Sequence, residues 1–149
     1  MNENRVIIDA TPIKINKYYD WLSQSPIDGA IVTFTGKVRS EQEKVQSLYL
    51  EHYHGMTETV MVKIMDEARQ RWQINRAIIV HRIGHILANE LIVFVGVSSL
   101  HRHEAFVSTQ FIMDKLKNDV PLWKKEKTLY EESWVEAKKS DRDSLKKWY

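Results

Sequence analysis

The 149-residue sequence has no cysteine, and that absence removes a whole group of chemistries from consideration. Without a thiol the chain offers no disulfide, no thiolate metal site, no cysteine nucleophile and no persulfide relay. Any sulfur chemistry must use sulfur brought by another molecule. Long apolar runs are also missing. The longest, "LIVFVGV" at Leu91 to Val97, is far too short to span a bilayer, and "MNENRVIIDA" lacks the apolar core of a signal peptide. The expectation is a cytoplasmic protein with no membrane partner. A net charge of +2 and a pI near 8.7 fall short of the cationic excess that announces a nucleic-acid partner, so any basic site must come from local clustering. No carboxylate pair, HExxH, Walker loop, GxSxG or EF-hand pattern is present, and the histidines show no recurrent ligand spacing, so no metal site is expected.

What is present suits one globular domain over residues 1–149, with 43% hydrophobic and 28% charged residues and no internal repeat. "RVIID" (Arg5 to Asp9) reads as an edge strand and "KINKYYDWL" as a short helix burying Tyr18, Trp21 and Leu22. "AIVTFTGKV" (Ala30 to Val38) has the β-branched content of a central strand, with Gly36 marking a bulge or a close backbone approach. "SEQEKVQ" has no apolar period and reads as a mobile loop. "SLYLEHY" alternates Leu48 and Leu50 against polar neighbours, as a half-buried strand does. Thr57 is placed to cap a helix over "ETVMVKIMDEARQRW" with a buried stripe of Val60, Ile64, Ala68 and Trp72. "RAIIVHRIGHI" and "ELIVFVGVSSL" flank "LANE", which predicts a hairpin of two long strands. The helix "HEAFVSTQFIMDKLKND" ends before Pro121. Two short strands, "LWKKEKTL" and "SWVEAK", and a short capped helix, "SDRDSLKKWY", complete the chain, with "SLKKWY" mobile in the absence of a partner. Hairpins with interspersed helices predict an α+β fold, mainly antiparallel sheet with packed helices.

Cations cluster at the ends of these elements. On the long helix, Ala105, Thr109, Ile112, Met113 and Leu116 fall within one apolar face with Phe106 at its margin. Lys115 points away from that face, and Lys117 lies on its rim beside Gln110. At the helix start, "SSLHRHEAF" sets His101 and Arg102 where free backbone N–H groups favour an anion; capping by Ser98 or Ser99 with solvent-facing His and Arg is the plainer alternative. In "TGKVR", Lys37 and Arg39 project to one face beyond Gly36. In "PLWKKEK", Lys124 and Lys125 face opposite ways, and periodicity does not choose between them. The three clusters are compatible with one anion pocket. A lysine crowded by other cations can serve as a general base or nucleophile near neutral pH.

The segments "DGAIVTFTGKVR", "LYLEHYHGMTE", "VHRIGHI", "IVFVGVSSLHRHEAF", "QFIMDKLKNDVPLWKKE" and "WVEA", in this order from about Asp28 to Ala137, resemble the large, catalytic subunit family of molybdopterin synthase. The resemblance implies an α/β hammerhead-like fold. It implies a sulfurtransferase that converts cyclic pyranopterin monophosphate (precursor Z) to molybdopterin by inserting two sulfurs. The chain itself would bind no cofactor. Sulfur would arrive as a thiocarboxylate on the Gly-Gly C-terminus of a separate small, ubiquitin-like subunit. The family forms a heterotetramer around a homodimer of large subunits, and its His-Arg pair reaches the neighbouring subunit's pocket. Carried over by residue, Lys117 and Lys124 are the catalytic pair, and Lys37, Val38, Arg39, His101, Arg102, Lys124, Lys125 and Glu126 bind substrate. Of the remaining lysines, Lys115 and Lys127 are expected to be solvated. "SEQEKVQ" is shorter than the family's segment and lacks its glycine, and "KTLYEESW" lacks a Pro-Glu-Gly turn. A reading from another class, a non-enzymatic nucleotide- or RNA-binding module using the same lysines with exposed Tyr and Trp, is weakened by the lack of a continuous basic stripe.

Overall fold

The run from Arg76 to Leu87 is apolar enough for a single strand, yet the chain turns at Gly84, whose φ of 79° lies in the left-handed region that glycine enters without strain. The two halves consequently join different sheets in this computed structural model, which describes residues 3–40, 45–120, 122–128, 132–134 and 139–149. The first sheet has the order β1-β4-β6-β2, from strands Glu3–Asp9 (β1), Ala30–Lys37 (β2), Arg76–Arg82 (β4) and Leu91–Ser99 (β6). The second has the order β5-β3-β7-β8, from Val45–His52 (β3), Gly84–Leu87 (β5), Leu122–Thr128 (β7) and Glu132–Trp134 (β8). All pairings are antiparallel except β1 with β4. The fold is α+β, as expected. The predicted hairpin is corrected: β6 pairs with β4, whereas β5 crosses over to β3.

Strand alternation divides the first sheet's side chains between two layers. Ile78, Val80 and Phe94 meet Tyr18, Trp21 and Leu22 of helix α1 (Ile15–Leu22), the three residues predicted to be buried. On the other face, Ala77, Ile79, Val93, Val95 and Val97 pack against helices α2 (Met56–Arg71) and α3 (Arg102–Asp119). Val38, Leu48, Leu50 and Ile86 form a smaller core under the second sheet.

Several expectations need correction. Among the described residues β2 is an edge strand, with Val32 and Phe34 facing a groove and Ile31 turned to the α1 side. Gly36 does sit at a register shift, and a Cβ there would lie 2.8 Å from the Val93 side chain. α2 is capped at Gly55, not Thr57, because Gly55 takes a φ of 83° and Glu58 accepts its N–H at 2.6 Å. Thr57 is turned inward and accepts the Tyr53 N–H at 3.1 Å. The buried stripe of α2 is Thr57, Met61, Ile64, Met65 and Ala68, with Val60 and Trp72 at its margin. Residues 41–44 of the predicted mobile loop, and residues 129–131 and 135–138 near the second departure from the family pattern, lie outside the described residues. Val45 and Gln46, placed in that loop from sequence, begin β3.

The largest correction concerns Lys115, which is 5% exposed rather than solvated. Helical arithmetic allowed α3 one apolar face, but α2 and the C-terminal 3₁₀ turn Leu145–Trp148, which follows helix α4 (Lys139–Ser144), cover a second. Lys115 donates to the Tyr149 hydroxyl and lies 3.8 Å from the Asp119 carboxylate. Burial opposes its charge. The Tyr149 hydrogen bond and the nearby Glu67 and Asp119 carboxylates outweigh that penalty and raise its pKa.

The segment expected to be mobile is thereby seated on the core. Trp148 packs edge-on against Trp72 and Phe111, with ring centroids 5.7 and 5.3 Å away, and its indole N–H donates to Asp114 at 2.8 Å. Trp148→Ala should lower unfolding free energy by about 2 kcal/mol in urea titrations. An unchanged midpoint would mean that the C-terminal turn does not pack in solution.

Candidate active site

Strand directions decide which cations meet. β6 runs antiparallel to both β2 and β4, so Lys37 lies opposite Leu91, His81 lies opposite Val93, and all four mark one end of the first sheet. α3 follows β6 after only Leu100 and His101, folds back across β6 and β2, and brings its C-terminal turn to that same end. Lys117 sits in that last turn, exposed at the rim as predicted. Its charge reaches His81.

Lys37 and Arg39 reach this end from β2. Val38, which the resemblance places with them in the substrate pocket, has its side chain 2% exposed in the small core. Its N–H donates to the Glu90 carbonyl at 2.9 Å and its carbonyl accepts from Asn89 at 2.7 Å. Val38 is therefore a peg that turns the exposed Lys37 and Arg39 the other way. Arg82 steadies the peg's partner strand: its guanidinium holds the Glu90 carboxylate at 3.0 Å, and Glu90 accepts the Leu87 N–H at 2.7 Å.

The register of β7 separates Lys124 from Lys125. Lys124 pairs with Leu50 and Glu126 with Leu48, so both share the face on which those leucines and Val38 are buried. Lys125 pairs with Tyr49 on the opposite face, 2.9 Å from Glu132 and stacked over Trp134. There, with His85, Glu51 and Lys127, it lines a separate cleft of about 360 Å³. The structure does not bring Lys125 to Lys124 and Glu126.

His101 and Arg102 occupy the other end of α3. His101 is the N-cap, with φ −130° and no capping side-chain bond. Ser98 and Ser99 do not cap either: Ser98 accepts the Arg76 N–H and Ser99 donates to the Gln73 carbonyl. The first amides of α3 and the exposed side chains of His101 and Arg102 thus face outward together. From Arg102 to Lys117 the helix advances fifteen residues, about 22 Å at the usual rise. Within one chain the predicted single pocket therefore divides, with Lys37, Arg39 and Lys117 toward one end of the first sheet, Lys124 and Glu126 on β7 of the second sheet, and His101 with Arg102 at the far end of α3.

Two features were missed from sequence. A groove of about 580 Å³ runs between α3 and the open edge of β2, lined by Val32, Phe34, Phe106, Gln110 and Met113 and reaching Lys117. Phe34 and Phe106 are 41% and 62% exposed, an apolar investment at the surface that periodicity alone assigned to strand and helix margins. The other is His81, buried on β4, with its Nδ1–H donating to the Arg82 carbonyl at 2.9 Å. Burial, with further repulsion from Lys117 and His52, pushes its pKa down from 6.5 to about 4, so the ring is a neutral wall beside the lysine.

Comparisons with known proteins now bear on this geometry. The family model described as MoaE protein matches residues 8–119. The chain is 47% identical over 150 residues to the molybdopterin synthase catalytic subunit of Escherichia coli K12, covering 99% of this chain and 100% of that protein. Among solved structures, molybdopterin cofactor biosynthesis protein E of Burkholderia multivorans superposes with a TM-score of 0.83 at 39% identity, covering 97% of this chain and 96% of the other. Molybdopterin synthase of Staphylococcus aureus gives 0.79 at 32% identity, covering 88% and 95%.

The state of His81 has a consequence for stability. Between pH 6.5 and about 4 the unfolded chain takes up a proton at this position that the folded chain refuses, so stability is fully present above pH 6.5 and falls as the pH drops toward 4. The contribution at stake is roughly 3 kcal/mol. Chemical denaturation of wild type and His81→Gln across this range should show a shallower acid loss in the variant. Parallel curves would contradict the buried neutral imidazole.

Proposed function

The chain belongs to the MoaE protein family, and from that premise we infer that it is the catalytic subunit of a molybdopterin synthase, working in the biosynthesis of molybdenum cofactor. Its substrate on this reading is cyclic pyranopterin monophosphate, and its sulfur donor is the thiocarboxylate at the Gly-Gly terminus of a small ubiquitin-like subunit. The absence of cysteine fits a protein that positions sulfur without ever carrying it. No helix among the described residues is long and apolar enough to cross a membrane.

The observation that carries the reading is the groove beside β2, which reaches Lys117 toward the same end of the first sheet as Lys37. An extended tail ending in two glycines has no side chains to hinder it there. Phe34, Phe106 and Met113 would hold its backbone while its terminal thiocarboxylate reached Lys117. The thiocarboxylate sulfur would attack a side-chain carbon of the pterin, forming a carbon–sulfur bond as a carbon–oxygen bond at that carbon breaks and the departing oxygen takes a proton from Lys117. Water would then cleave the remaining acyl–sulfur bond, leaving sulfur on the pterin and a carboxylate on the carrier, which departs before a second carrier delivers the next sulfur. Lys117 would donate and recover the proton. Lys124 would stabilise the negative charge that develops on the acyl oxygen.

Arg39 supplies one guanidinium for the substrate's phosphate. His101 and Arg102 of a second copy complete the pocket, since about 22 Å of helix separates them from Lys117 of their own chain. The functional unit is then a homodimer of this chain with a small subunit bound at each site, a heterotetramer.

Incubating the chain with thiocarboxylated small subunit and the pyranopterin tests the assignment. Lys117→Ala should lower molybdopterin formation at least about 100-fold with an unchanged circular dichroism spectrum, whereas Lys127→Ala, at an exposed position on the opposite face of β7, should stay near wild type. Near-normal product from Lys117→Ala would remove that lysine from the chemistry. No product from the wild-type mixture would overturn the function itself.

A further inference from the structure

The turn that carries β3 into α2 gathers donor atoms that the sulfur chemistry does not use. β3 ends at His52, Gly55 turns the chain with its φ of 83°, and α2 begins at Met56, which brings the side chains of His52, His54 and Glu58 together. Glu58 divides its two oxygens. Oε2 accepts the Gly55 N–H at 2.6 Å, which fixes the carboxylate, while Oε1 lies 3.6 Å from His52 Nε2 and 3.9 Å from His54 Nδ1. One ligand atom from each of the three residues lies within 4.8 Å of the other two.

We propose that His52, His54 and Glu58 form a binding site for a divalent transition-metal ion, with zinc as the best fit.

Zinc takes imidazole nitrogen and carboxylate oxygen at about 2.0–2.2 Å, which in a tetrahedron separates neighbouring ligands by about 3.4 Å. The two distances to Glu58 Oε1 are already close to that edge. Only the two imidazoles need to approach, and His54, 94% exposed at its side chain, can rotate without disturbing packing. The donor set suits zinc over magnesium or calcium, which prefer oxygen. The Gly55 N–H on Oε2 supplies the outer hydrogen bond that orients a ligating carboxylate. Three protein ligands leave a coordination position for water or an exchangeable group, and the exposed turn gives the ion a path in. Spacing alone did not reveal the site, because the histidines belong to a strand end and a turn while the third ligand comes from the helix that follows.

The plainer account is a helix cap with two nearby histidines, and a titration separates the two. The tag-free full chain is titrated with zinc chloride by calorimetry, and with cobalt(II) while the visible spectrum is followed. One zinc per chain, with a tetrahedral cobalt spectrum, is expected. His54→Ala, His52→Ala and Glu58→Gln should each weaken zinc binding at least about tenfold, and Glu58→Gln keeps an oxygen for the Gly55 N–H. Zinc binding that is unchanged in the His52→Ala/His54→Ala double variant would place the ion elsewhere and overturn the proposal, as would the absence of binding by wild type. Neither outcome depends on the synthase assay, because metal binding is read directly.

Discussion

One rigid element sets the terms for everything around it. α3 is 18 residues long, folds back over β6 and β2, and carries cations at both ends. Its length is fixed by backbone hydrogen bonding and its direction by packing on both flanks. Ala105, Thr109 and Ile112 are buried along its body, Phe111 meets Trp72 and Trp148, and Lys115 is closed over by Tyr149. A phosphate-bearing small molecule cannot bridge the roughly 22 Å from Arg102 to Lys117. The helix therefore forces a choice between two unrelated sites and one site shared between copies.

The chain's lack of thiols and its exposed Phe34 and Phe106 make sense together on the second alternative. On the proposed function a chain without thiols needs a channel through which a donor can reach its lysines, and the groove between α3 and β2, which reaches Lys117, would serve as one. Among the described residues β6 is the one strand paired with β2, on one side only. The small core around Val38 locks β2 to the 82–90 segment, so that the exposed side chains on either side of Val38 keep their direction. Buried, neutral His81 completes this end of the sheet without adding a competing charge.

Much of this was legible in the sequence where periodicity and chemistry coincided. The buried trio of α1, the alternation of Leu48 with Leu50, the rim position of Lys117 and the bulge at Gly36 all follow from local spacing. What was not legible depended on contacts between distant segments. Lys115 looked solvated because nothing in its own helix predicts that residues 145–149 will cover it. The strand rule said that Lys124 and Lys125 diverge, but only pairing with Leu50 and Tyr49 says which one faces inward. The apolar stretch through Arg82 and Gly84 read as one strand because a positive φ leaves no hydrophobic signature. Val38 entered with the resemblance, and alternation along the strand turns its side chain inward.

The central claim is that an active pocket takes Lys117 from one copy of the chain and Arg102 from another. Mixing Lys117→Ala and Arg102→Ala chains, each inactive alone, under conditions where subunits exchange tests it most directly. In mixed dimers one pocket carries both substitutions and the other carries neither, so random pairing of equal amounts should restore about a quarter of wild-type molybdopterin formation. No recovery, with mixed dimers demonstrably formed, would mean that both residues serve the same pocket from one chain, and the shared site would be wrong.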